Sequence, residues 1–355
     1  MRVWVDITDA SAVVFFAPLV WRLEDAGHTV TLTARRFAGA DLVLRRYGLS
    51  GVLTTKHRGG NLGTRVVGLA NRTAQLLSSA SSGRFDVAAG SHANDFVLAA
   101  WTLAIPQLTF LDDDRLGHGN LVNVHLVDEV AVPEAVPDHD LTALGAPLSK
   151  IFRYPGFKEE YYLHDARPDS AALTRLGVDR RHVVGVVRPE PEPLGEAALA
   201  DLVRGLAGRR NVTIVVVARN REQRERFLAL QAPGLIVPDG PVDGSGLLAA
   251  ADFVIGHCGT MTREAAALGT PAYTVSRDVH RPVDAALLAD GRLKRVSRPE
   301  DIRLRKKETR TVATDPRDPM LFVNRIIELG SHPSRRARLG RLIQDASAEQ
   351  TPPLV

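Results

Sequence analysis

Short runs of β-branched residues alternate with segments of helical spacing twice along this chain, and a stretch with neither period separates the two series. Such alternation is the mark of βαβ units, whose parallel strands are covered by the helices that connect them. The first series reads as a strand over Arg2–Ile7, a helix over 15–27 that stops at Gly27, and a strand over Thr29–Thr33. Helices over 39–48 and 62–80, a strand over 85–89, a helix over 95–103 and strands over 106–111 and 129–132 follow. From Pro133 to about Asp169 the pattern dissolves into Pro, Gly, Asp and His, which places the junction there. Strands over 182–187, 212–217, 253–255 and 272–275 make the second series, and helical spacing returns over 320–327 and 335–347. At 355 residues the chain exceeds one compact core. The expected architecture is therefore α/β, with two Rossmann-like doubly wound domains over 1–150 and 151–330 and a C-terminal helix and tail over 331–355.

Charge excludes one class of partner. Lys and Arg number 45 against 41 Asp and Glu, and no basic run is interleaved with aromatic residues as strand-binding surfaces require, so nucleic acid is not an expected partner. Cys258 is the single cysteine, which removes internal disulfides and cysteine-based metal clusters. The chain opens directly on a strand and holds no apolar stretch of spanning length, so a cytoplasmic protein without a transmembrane segment is expected. The run Val13–Trp21 is apolar enough for peripheral contact with a membrane, but a buried first helix is the simpler reading. Oligomeric state has no signature here.

The most informative segment is 251–271, ADFVIGHCGTMTREAAALGTP: a buried strand, a turn of small residues, and a helix ending at Gly269 before Pro271. Gly256 and Gly259 let the backbone turn tightly and approach a ligand, and the free N–H groups opening the next helix suit a pyrophosphate. His257, Cys258, Gly259, Thr260 and Met261 form that phosphate loop; Thr260 and Thr262 either donate to the ligand or cap the helix. Glu264 follows one turn later, where a carboxylate can accept from vicinal ribose hydroxyls. Cys258 reads as a small loop residue, since no His or Asp pattern activates it.

This segment resembles the C-terminal signature of glycosyltransferase-B (GT-B) proteins, and more closely an uncharacterised glycosyltransferase-like family related in fold to the UDP-N-acetylglucosamine 2-epimerases. The similarity extends to VWVDITDASAVVFFAPLVWRLEDAGHTVTLTAR at the start, to GFKEEYYLHDARPD, and to VVRPEP and ARNREQ in the second half. It implies nucleotide-sugar binding by the C-terminal domain and acceptor binding by the N-terminal domain. Two departures stand out: Asp9-Ala10-Ser11-Ala12 replaces a Pro-Pro-His-like sequence, and His257 and Cys258 stand where small residues are usual.

In open parallel sheets ligands sit outside the carboxyl ends of the strands, so residues following each strand are the candidates. Asp6 and Asp9 follow the first strand, Ser91, His92 and Asn94 the fourth, Asp112, Asp113 and Asp114 the fifth, and Arg188 and Arg219 follow strands of the second domain. Asp9 or His92 would serve as base, with Asp9 favoured; Asp9 as helix cap and His92 as structural hydrogen-bonding residue are the alternatives. Arg188 and Arg219 would clamp the phosphates opposite the 256–261 loop. Asp6, Ser91, Asn94, Asp112 and Asp113 fall on the acceptor side. Three consecutive Asp point alternately along an extended segment, so no metal site is expected, and no cofactor beyond the nucleotide-diphosphate sugar as co-substrate. The expected activity is inverting, metal-independent transfer of a sugar to a small-molecule or glycan acceptor. A nucleotide-sugar 2-epimerase or hydrolase, or a sugar-nucleotide-binding protein without catalysis, are the alternatives.

Overall fold

A computed structural model describes residues 1–36, 40–54, 62–111, 121–164, 171–190, 196–240, 242–276, 281–307 and 316–332. Two compact units result, residues 1–156 joined by the chain from Pro319 onward, and residues 157–318.

The first unit runs β1 (Arg2–Ile7), α1 (Ala10–Asp25), β2 (Thr29–Arg35), α2 (Ala40–Arg46), β3 (Val52–Thr54), α3 (Leu62–Ala80), β4 (Val87–Ser91), α4 (Asn94–Thr102), β5 (Gln107–Phe110), α5 (Leu121–Leu126), β6 (Glu129–Pro133), α6 (Asp138–Ala143) and β7 (Ile151–Tyr154). Its seven strands lie in the order β3-β2-β1-β4-β5-β6-β7, all parallel. The helix expected from residue 15 begins at Ala10, because Asp9 accepts from the Ala12 N–H and caps it. Pro18 sits inside this helix. The last strand, β7, lies in the stretch read as an aperiodic junction; four residues framed by turns carry too little period to be seen.

The second unit runs α7 (Lys158–Tyr162), α8 (Ala172–Arg175), β8 (Val183–Val187), α9 (Glu196–Ala207), β9 (Val212–Val216), α10 (Arg221–Leu228), β10 (Leu235–Ile236), α11 (Gly244–Ala250), β11 (Phe253–Gly256), α12 (Thr260–Ala267), β12 (Ala272–Thr274), α13 (Pro282–Ala289) and β13 (Leu293–Arg295). Its parallel sheet has the order β10-β9-β8-β11-β12-β13. Both sheets are thus doubly wound, and the strands buried on both faces are the near-continuous apolar runs of the sequence.

The chain then returns to the first unit as α14 (Met320–Ser331). Residues 320–330 were expected with the second domain; instead Phe322 stacks edge-on against Phe15, Phe110 and Tyr154 at 5.7, 5.2 and 5.0 Å, and Arg325 pairs with Glu129. Helical spacing shows that one face of a helix is apolar but not which sheet it covers. The unit boundary also falls at Gly156–Phe157 rather than at 150. The helix expected over 335–347 lies outside the described residues.

Candidate functional site

In the second unit the order of strands reverses between β8 and β11: from β8 the chain winds outward through β9 and β10, and from β11 it winds the other way through β12 and β13. The carboxyl ends of β8 and β11 therefore diverge into helices on opposite faces and leave a crevice. Arg188 follows β8 directly, and His257-Cys258-Gly259 follows β11, so two of the expected donor elements meet at this point.

The loop turns through two consecutive left-handed residues, Cys258 at φ 85° and Gly259 at φ 106°. The first is strained for a residue with a Cβ, at a cost on the order of 1–3 kcal/mol. Gly259 is required by its φ; a Cβ there would stand 3.1 Å from Nη1 of Arg281, the flexible end of a side chain that can yield. Gly256 is closed by Thr262, whose methyl would lie 2.9 Å from a Cβ. The turn aims the start of α12 outward: the N–H groups of Gly259, Thr260 and Met261 donate to no described residue, while those of Thr262 and Arg263 bond the Gly259 carbonyl. The Thr262 hydroxyl also donates to that carbonyl, at 2.8 Å, so it serves the turn and not a ligand. Thr260, Met261 and His257 keep partial exposure. The Cys258 thiol meets Thr274 Oγ1 at 3.3 Å, and burial with the nearby Asp284 carboxylate pushes it up to about 11, the opposite of an activated nucleophile.

Arg188 and Arg219 brace one another's loops. Arg188 Nη1 donates to the Val217 and Ala218 carbonyls beyond β9 at 2.8 and 3.3 Å, and Arg219 Nε donates back to the Pro189 carbonyl beyond β8 at 2.9 Å. Neither forms a salt bridge among the described residues, and both are at least partly exposed. Burial pushes Arg188 down to about 10, reinforced by the positive charge of Arg219; burial also lowers Arg219, with Arg281 adding to it and Glu190 opposing. Arg188 and Arg219, two partly buried guanidinium groups whose positive form is disfavoured, make a site ready for an anion.

Glu264 is only 8% exposed, on the second turn of α12. Its Oε1 accepts from the Tyr162 hydroxyl at 2.8 Å. Burial pushes its carboxyl up to about 7, against the pull of Tyr162, Lys158 and Arg188. The helix behind it is anchored by Arg263, whose fork is bidentate on Asp284 at 2.9 Å for both contacts, with both side chains buried. Sequence reasoning missed Tyr162, Arg281 and Asp284; none lies within twelve residues of its partner, and no motif links them.

The first unit reverses its strand order between β1 and β4. Asp6 was expected on the acceptor side, and this is corrected: it is fully buried, with its carboxylate taken by Arg72 Nη2 at 2.8 and 3.0 Å and by the Thr33 hydroxyl at 2.6 Å. Arg72 also donates to Asp95 Oδ1 at 2.7 Å and Thr54 Oγ1 at 2.9 Å, and Arg35 meets the other Asp95 oxygen at 2.7 Å. Burial pushes the Asp6 carboxyl up while Arg72 opposes it; burial would lower Arg72, and the two carboxylates more than offset that. This network ties the carboxyl ends of β1, β2 and β3 to the start of α4. Asp9 is exposed at the head of α1, accepting from Ser11 Oγ at 2.6 Å and the Ala12 N–H at 3.0 Å. His92 Nδ1 lies 2.9 Å from Thr109 Oγ1, and Ser91 and Asn94 flank it with partial exposure. Asp112, Asp113 and Asp114 lie outside the described residues.

The family model for proteins of unknown function described as DUF354 matches residues 1–314. The uncharacterised protein MJ0665 of Methanocaldococcus jannaschii is 27% identical over 302 residues, covering 82% of this chain and 87% of the relative. Among solved structures, the UDP-GlcNAc 2-epimerase of M. jannaschii superposes with a TM-score of 0.70 at 13% identity, covering 93% of this chain and 99% of that one. MurG of Acinetobacter baumannii superposes with a TM-score of 0.50 at 17% identity, covering 97% and 100%. At such identity these likenesses establish the fold, two doubly wound sheets of the GT-B type.

Proposed function

We propose that this chain, which belongs to the DUF354 family, is an inverting, metal-independent glycosyltransferase that takes its donor, a nucleotide-diphosphate sugar, in the second unit. The observation that carries this reading is the convergence of the open N-terminus of α12 with Arg188, Arg219 and Arg281 at the sheet's reversal point. The helix N–H groups and guanidinium forks would hold the diphosphate, and the unused side of Glu264 would accept from the ribose hydroxyls. In the transfer, an acceptor oxygen bonds to the anomeric carbon as the bond from that carbon to the diphosphate oxygen breaks, and the acceptor proton passes to a base. Charge grows on the departing diphosphate, which is where these cations and the helix dipole act. Asp9 or His92 in the first unit would take the proton. The same residues would make the reaction insensitive to chelation, because guanidinium groups fill the role of a divalent ion.

A second reading has a specific observation behind it. The superposition on a UDP-GlcNAc 2-epimerase is tighter than that on MurG, so isomerisation or hydrolysis of the nucleotide sugar itself is the alternative. Incubation with nucleotide sugars, with and without candidate acceptors and with EDTA throughout, separates them. Turnover that needs an acceptor and survives EDTA supports transfer; conversion without acceptor supports epimerase or hydrolase; loss of turnover on chelation with recovery on Mg or Mn overturns metal independence.

A further inference from the structure

Charge is distributed unevenly along this chain. Between Asp25 and Asp86 stand nine Lys or Arg against the single carboxylate of Asp41; Arg72 and Arg35 pair with Asp6 and Asp95, and seven cations remain in a protein whose formal net charge is +4. That segment builds α2, β3 and α3, at one edge of the first unit's sheet. Right-handed crossovers place α1 and α2 on one face as the chain winds from β1 to β3, and α3 on the other as it returns to β4. β3 is therefore an edge strand flanked by α2 and α3.

Apolar side chains are exposed along the same edge. Leu42 on α2, Val52 on β3, and Val66 and Val67 on α3 are each more than half exposed. Residues 63–67 are all exposed, at the start of α3. Trp21 stacks on Tyr47 with ring centroids 6.3 Å apart and keeps 41% exposure at the α1–α2 side. Arg36, Arg45, Arg46 and Arg65 are exposed among these residues, and Arg36 rims a cavity of about 500 Å³ between β3 and Gln75, Ser78 and Ser79 of α3. The apolar run Val13–Val20, by contrast, packs inward apart from the half-buried Val14.

We propose that this edge docks on an anionic lipid bilayer, with Leu42, Val52, Val66 and Val67 entering the headgroup boundary and Arg36, Arg45 and Arg65 meeting lipid phosphates. Exposed aliphatic residues set among cations, with an aromatic pair beside them, match the two terms of interfacial binding, apolar burial and attraction to acidic lipids. Nucleic acid would answer the charge but not the four exposed aliphatic residues. A second copy would bring the same surplus of positive charge against itself across a two-fold axis.

Flotation of the full chain with vesicles tests this independently of any enzymatic activity. Binding to phosphatidylcholine vesicles containing about one-third phosphatidylglycerol is expected, with little on phosphatidylcholine alone and release by salt. Arg45→Glu with Arg65→Glu should lower partition by about 25-fold or more, about fivefold for each cation near the surface. Val66→Ser with Val67→Ser should also weaken it, with unchanged circular dichroism and thermal unfolding showing both variants folded. The proposal is overturned by no partition, by equal partition onto neutral vesicles, or by partition that both pairs leave intact. It is equally overturned by a dimer in sedimentation that the valine pair dissociates, or by RNA binding in place of vesicle binding.

Discussion

Replacing Glu264 with glutamine tests both the donor site and the electrostatics that shape it. The Glu264 carboxyl is raised from about 4.5 to about 7, chiefly by burial, so the native state holds this proton more tightly than the unfolded chain does. Stability linked to it is fully present below about pH 4.5, falls as pH rises to about 7, and is level above. At about 1.4 kcal/mol for each pH unit, the loss reaches about 3 kcal/mol, and an 8% exposed group is little screened. Glutamine keeps an acceptor for the Tyr162 hydroxyl at 2.8 Å and removes the charge, so Glu264→Gln should unfold at higher urea concentration than the parent at pH 8, with the difference fading by pH 5. Nucleotide affinity should move the other way. The ionised carboxylate is the better acceptor for ribose hydroxyls, so parent affinity should rise as pH passes through about 7, and Glu264→Gln should bind about 1–3 kcal/mol more weakly at pH 8, with that rise gone. Urea titrations and calorimetry with UDP, GDP, TDP and ADP across pH 5 to 8 read both effects. Equal pH profiles of stability in parent and variant would refute the burial argument, and unchanged affinity would remove Glu264 from the ribose site.

Two further perturbations address the first unit. Arg72→Met leaves the carboxylates of Asp6 and Asp95 buried without their shared cation, and should cost about 3–5 kcal/mol in urea unfolding; a cost below about 1 kcal/mol would show that the network relaxes to water. Asp9→Asn keeps an effective helix cap while removing basicity, so it should lower kcat about a hundredfold with nucleotide affinity intact; near-normal kcat in Asp9→Asn together with its loss in His92→Ala would make His92 the base.

Local pattern carried much of the fold. Strands such as Val183–Val187 and Val212–Val216 are buried on both faces, and such strands appear in sequence as unbroken β-branched runs. Short edge elements were invisible for the converse reason. β10 has two residues and β13 three, β13 with two of its three side chains exposed, so neither has a period to detect. The destination of α14 was hidden in a different way. Its contact residues Phe15, Phe110, Glu129 and Tyr154 are spread over 140 residues of sequence, and the pairing exists only once β1 to β7 have formed a sheet for it to cover.

The site divides along the same line. The glycine turn, the helix start and Glu264 lie within nine residues, so their chemistry was readable in order; Gly259 even announces its left-handed backbone by its identity. What tunes these groups comes from far away: Tyr162 stands 102 residues before Glu264, and Arg281 reaches Gly259 from the far side of β12. Asp6 shows the cost of reading position alone. It stands at the carboxyl end of β1, where ligands gather, yet its partner Arg72 is 66 residues away and encloses it completely. A carboxylate at a strand's end is a ligand group only if no cation of the same fold reaches it first. Asp9, three residues further on and exposed, meets that condition among the described residues, while its Oδ1 already serves the cap of α1. Catalysis by Asp9 would therefore fall to Oδ2, which accepts from the Thr8 hydroxyl at 3.3 Å, so that an acceptor hydroxyl displaces a side-chain donor while Oδ1 keeps the first turn of α1 capped.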